Sequence, residues 1–162
     1  MQKAGIRLLA ALLVIGGVLG IAIILYMGYG MLQQHWIYGL VFAVFALLFA
    51  YSTFVGFRLW QGRPFARKRA AMLFAAQIPV FTLPGVTYEW YTGLAFKIMG
   101  GHVEKNTVLE LGSSINFYLD TRITDVAYGV NVIALAALLF LAAARADPAP
   151  QGTLPDKAAQ HP

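Results

Sequence analysis

Few side chains in this sequence can do chemistry, and most of those lie in one stretch. His102 and Glu104 form a His-x-Glu pair, followed by Glu110, Asp120, Arg122 and Asp125. An imidazole and a carboxylate two residues apart suit one edge of a metal site or an acid/base couple. A zinc centre needs three or four converging ligands, and the other histidines, His35 and His161, lie far away in sequence. The spacing therefore predicts a solvated loop, with no metal, no cofactor and no catalytic residue. Asp120 and Arg122 sit as a local pair at a turn, which stabilises by at most about 1 kcal/mol. Glu89, flanked by Tyr88, Trp90 and Tyr91, reads as an interfacial charge. The absence of cysteine excludes thiol catalysis, cysteine–zinc sites and cluster ligation.

The elements that must carry these residues follow from composition. The chain has 162 residues, 59% hydrophobic and 12% charged. Soluble domains run about 45–50% apolar and about 25% charged, so the composition excludes a disordered chain and a conventional soluble enzyme. The net charge is +5, but the positives stand at the ends of apolar runs, where membrane topology explains them without nucleic acid. Four runs carry no charge: residues 8–32, 36–57, 70–88 and 126–144. The first exceeds the roughly 7–15 apolar residues of a signal peptide and has no Ala-x-Ala site after it, so it reads as a retained anchor. Only Gln33, Gln34 and His35 separate it from the second run.

These runs predict an all-α integral membrane protein, a four-span transmembrane helix bundle occupying residues 1–145. A small extracytoplasmic cap over 89–125 follows the third span, as a short β-hairpin or as an interfacial helix over 89–99. Thr124 or Asp125 would cap the fourth span and Arg145 would complement its end. Residues 146–162 hold four prolines and read as a disordered cytoplasmic tail. Pro79 and Pro84 should kink or unwind the third span, with a re-entrant segment as the alternative. Gln77 and Asn131, the strongly polar residues inside the runs, are expected to hydrogen-bond to neighbouring helices. Gly16 and Gly20 form a Gly-x-x-x-Gly pair that lets another helix approach closely. Because no run carries an ionisable group, proton-coupled antiport and bis-histidine haem ligation are disfavoured.

Arg58, Arg63, Arg67, Lys68 and Arg69 form an acid-free block that acts as a topogenic signal and meets lipid headgroups. Threaded through four spans, nine Lys/Arg fall on the side of the termini and three on the other. That bias places both termini in the cytoplasm of a bacterial inner membrane. The leading functional expectation is a non-enzymatic accessory protein whose outer segment meets another membrane or periplasmic protein. Trp90, Tyr91, His102, Phe117 and Tyr118 are its candidate contact residues, and a homo-oligomer is compatible with the same surface. The alternative is an oligomeric transporter of a small solute or lipid, built on the broken third span.

Overall fold

A computed structural model describes residues 2–32, 36–101, 106–120 and 125–144. Two long helices, α1 (Gln2–Leu32) and α2 (Trp36–Trp60), pack antiparallel. Gly17 and Gly20 of α1 lie against Thr53 and Phe49 of α2, while Gly56 of α2 lies against Ala10 and Leu13. The glycines let the two backbones approach, because they carry no side chain to hold the helices apart. Gln2–Tyr26 and Phe42–Trp60 are long and apolar enough to cross a membrane.

Beyond α2 the architecture departs from expectation, and the all-α four-span bundle is overturned. The remaining elements are α3 (Ala66–Ala76), β1 (Pro79–Leu83), β2 (Gly85–Gly101), β3 (Asn106–Asp120), β4 (Ala127–Asn131) and α4 (Val132–Ala143). The third apolar run is a helix only as far as Ala76. Proline lacks an N–H and disfavours helical geometry in the residue before it, so Pro79 ends the helical stretch and begins β1. Pro84 and Gly85 then turn the chain from β1 into β2, with Gly85 at φ 85°. The two prolines that looked like kinks are a helix stop and a turn.

The fourth run is also divided. Its first residues form β4, and Asn131 caps α4 by accepting from the Ala134 N–H at 3.3 Å. The cap is Asn131 rather than Asp125, and Thr124 and Arg145 lie outside the described residues. With 11 and 12 residues, α3 and α4 extend about 16 and 18 Å, roughly half of a hydrocarbon core. They pack on each other, and α3 also packs on α2.

The strands form one antiparallel sheet in the order β1-β4-β2-β3, with β1 also paired to β2. Segment 89–99 is therefore strand, not interfacial helix. Along one edge β2 pairs with β3 from Gly85↔Asp120 to Met99↔Asn106. Along its other edge, β2 pairs first with β1 (Tyr88↔Phe81) and later with β4 (Ile98↔Val130). Since β1 and β4 pair with each other, β2 must fold over to reach both. The fold point is Gly93, at φ 85°, opposite Gly112, at φ 132°. The middle of α1 rests there: a Cβ on Gly16 would stand 2.6 Å from the Thr92 carbonyl carbon and 2.8 Å from Gly93 Cα. Trp90 joins the helices' core with Leu13, Phe49, Leu73, Phe74 and Ala134.

Candidate functional site

Register fixes which side chains share a face of the folded sheet. Val80, Thr82, Thr87, Glu89, Tyr91, Ala95, Lys97, Glu110, Asn116 and Asn131 lie on the inner face. Phe81, Tyr88, Trp90, Thr92, Ile98, Leu109, Leu111, Tyr128 and Val130 lie on the outer face, where the helices cover Trp90 and Thr92. The inner face is mainly polar. The outer face is mainly apolar, and Ile98, Leu109, Leu111 and Tyr128 stand exposed on it. A soluble sheet has the opposite arrangement, with its polar face toward water. Polar-inside and apolar-outside is the pattern of strands bordered by lipid.

At the centre of the inner face lies a charge cluster. The Lys97 ammonium donates to Glu89 and forms an ion pair with Glu110 at 2.8 Å. Eight residues of straight strand would separate Lys97 from Glu89 by roughly 26 Å, about twice what their side chains can bridge. The fold at Gly93 brings them together, and Gly93, Ala95 and Gly112 leave the inside of the bend clear of large side chains. Asn116 Nδ2 donates to the second Glu89 oxygen at 3.1 Å. The Lys97 ammonium also stands 5.4 Å from the centre of the Tyr91 ring, whose hydroxyl hydrogen-bonds to Glu110. One ammonium and two carboxylates leave the cluster one negative charge in excess.

The charges in this cluster satisfy one another: the ammonium meets both carboxylates, and Asn116 and Tyr91 bond to the carboxylates as well. The arrangement links the two halves of β2 and β3 across the fold at Gly93.

The polar residues at the helix–strand junctions act in the same way. Gln77 Oε1 accepts from the Thr92 N–H at 3.1 Å, and its Nε2 lies 3.0 Å from Thr92 Oγ1. Asn131 Oδ1 also accepts from the Phe96 N–H at 3.3 Å, and the Asn131 N–H donates to Ile78 O at 2.9 Å. Gln77 and Asn131 thus bind strand β2 rather than a neighbouring helix. Tyr88 Oη donates to Ala76 O at 2.7 Å, tying β2 to the end of α3.

The remaining sequence-predicted residues fall in several places. Trp90 and Tyr91 are both buried, on opposite faces. Phe117 and Tyr118 occupy β3 opposite Tyr88 and Thr87. His102, Glu104, Arg122, Gln33, Gln34, His35 and residues 146–162 lie outside the described residues. Gly20 faces Phe49 of α2, whereas Gly16 faces the sheet, where its carbonyl accepts from Ser113 Oγ. Among the basic block, Arg58 stacks over Phe54 at 4.9 Å and Arg67 donates to Ala144 O at 3.0 Å. Arg63, Lys68 and Arg69 are exposed. Sequence reasoning missed Lys97 and Glu110 as partners. The available signal was the alternation of Leu94, Phe96 and Ile98 with Ala95 and Lys97 beside the glycine at 93. Comparison with known protein families, characterised proteins and solved structures finds no match to this chain.

Proposed function

We propose that the protein is a non-catalytic membrane interaction protein that engages a partner through strand β3 of its folded sheet. The observation that carries this reading is the outer edge of β3. Among the described residues β3 pairs only with β2, leaving one side of a 15-residue strand without a ladder. Beside that edge, Leu109 and Leu111 are 67% and 84% exposed. An open edge flanked by apolar side chains is a template for another strand, and it is especially costly near hydrocarbon. The partner is an extended, apolar segment of another membrane or envelope protein, with a second copy of this chain as one outcome of the test.

Location is part of the same reading: a bacterial cytoplasmic membrane crossed by α1 and α2, with both ends of the chain in the cytoplasm. Supporting it, Gly5 meets Phe140 and Arg67 meets Ala144, so the start of α1 and the end of α4 share one end of the molecule. Seven of the 12 Lys and Arg (Lys3, Arg7, Arg58, Arg63, Arg67, Lys68 and Arg69) also belong to that end. Replacing Leu109 and Leu111 by lysine should abolish partner co-purification while the chain still inserts. Unchanged co-purification refutes the reading. Leu111→Cys adds the one thiol in a cysteine-free chain, and disulfide-linked dimers would identify the partner as a second copy.

A second reading, transport of a small polar solute or lipid by an oligomer, no longer has a broken span to rest on. It is favoured by the polar inner face, and an absence of flux in reconstituted vesicles counts against it.

A further inference from the structure

The end of the helical hairpin farthest from the α1–α2 connection contains a cavity of about 710 Å³. Its charged lining is Lys3 and Arg7 from α1 and Arg63 from the turn after α2, with no carboxylate among the described lining residues, while Arg67 of α3 also lines it and has partners of its own, the Ala144 carbonyl among them. Its apolar lining includes Leu59, Trp60 and Phe65. Like charges gathered around one cavity repel unless an anion joins them. The volume falls within the roughly 300–1,000 Å³ of ordinary ligand sites.

Two further observations point to an occupant. The turn that builds the wall is conformationally costly: Phe65 is the one non-glycine residue at positive φ among the described residues, at 63°. A bulky residue held there is strained and marks a position maintained by more than local preference. It leaves the Phe65 ring 76% exposed, beside Trp60 at 52%. The Arg7 guanidinium stands 5.9 Å from the centre of the Trp60 ring, joining the cationic and aromatic parts of the wall. These features lie where the apolar helices end. That is the depth at which aromatic side chains meet headgroups and basic side chains meet phosphates.

We propose that this groove is a binding site for an anionic glycerophospholipid. The headgroup phosphate lies among Lys3, Arg7 and Arg63, and acyl carbon packs along Leu59, Trp60 and Phe65. A phosphate diester satisfies the crowded cations, and its chains cover aromatic surface that water would otherwise meet. Free phosphate would satisfy only the first requirement. The inference rests on α1 and α2 crossing a bilayer, but it is independent of a partner at β3.

The test uses the full chain in mixed micelles titrated with phosphatidylglycerol or phosphatidylcholine, with bound lipid counted by native mass spectrometry. Phosphatidylglycerol should bind at least about tenfold more tightly, and Arg7→Gln with Arg63→Gln should weaken it by about tenfold to thirtyfold. The charge-matched control, Lys68→Gln with Arg69→Gln, should change it less than about threefold. Arg63→Gln alone, at an exposed turn, should lose about fivefold and keeps the test open if the double variant does not fold. Equal losses in groove and control variants would overturn the proposal, leaving only general charge attraction. So would full displacement by millimolar inorganic phosphate, which would make this a site for the free anion. Alkaline extraction of membranes from the expressing cells separates the premises: release from them refutes the bilayer placement, whereas retention without lipid selectivity in micelles refutes the groove alone.

Discussion

Replacing Lys97 by methionine tests whether the charge cluster holds the folded sheet. The substitution keeps side-chain length and removes the ammonium, so Glu89 and Glu110 are left facing each other across the bend. The Lys97, Glu89 and Glu110 side chains are 5%, 15% and 32% exposed. Breaking a buried pair costs about 3–5 kcal/mol, whereas exposed pairs contribute about 0–1 kcal/mol. Glu110 retains access to water and Glu89 keeps Asn116, so the cost should be about 3 kcal/mol. That is a fall in midpoint of roughly 10 °C, read from the far-ultraviolet circular dichroism of the sheet during heating in micelles. Neutralising all three groups, as Lys97→Met with Glu89→Gln and Glu110→Gln, should return stability to within about 1 kcal/mol of the parent, because neither orphaned charge remains. A single variant melting within about 2 °C of the parent would refute the reasoning. So would a triple variant no more stable than the single one.

Four other outcomes follow from the same geometry. Gly16→Ala should destabilise by about 1–3 kcal/mol in chemical unfolding, although alanine normally improves a helix, because its methyl would overlap the Thr92–Gly93 backbone. Gly5→Ala meets only the Phe140 ring and should be nearly neutral in the same assay. Gln77→Leu should cost about 1–3 kcal/mol, because the buried Thr92 N–H loses its acceptor. Glu110→Gln removes one of the two carboxylates on Lys97 and should cost about 1 kcal/mol in the same assay, less than Lys97→Met, because Glu89 still pairs the ammonium.

The helical hairpin was legible because its signal is local: two long chargeless runs, with glycines at the spacing that permits close approach. In the second half the β-hairpin alternative for 89–125 matches β2 and β3, but the flanking runs were misread, because hydropathy cannot separate a membrane helix from a short helix joined to a strand. Residues 70–88 have nearly the same apolar content in either form. The deciding information lay in Pro79 and in the Pro84-Gly85 pair, which act on backbone geometry rather than polarity. Residues 126–144 hid the same ambiguity, and there Asn131 was read as a polar residue inside a helix when it begins one. The charge cluster was harder still, since Glu89, Lys97 and Glu110 become neighbours only after β2 folds at Gly93. Counting charge inside the apolar runs therefore missed charge buried between strands.

The face polarity of the sheet joins these results. A strand exposing Leu109 and Leu111 while burying Glu89 and Lys97 would be the wrong way round in water, because apolar burial drives folding there and charge desolvation opposes it. Against lipid both terms change: the outer side chains gain a matching solvent, and the charges must turn inward and pair. The fold at Gly93 makes that pairing available to a single strand without a large closed barrel. Among the described residues β3 pairs on one side only, so a lipid-bordered sheet would leave that edge as its remaining conflict. A strand supplied by a partner, as proposed for β3, would resolve that conflict.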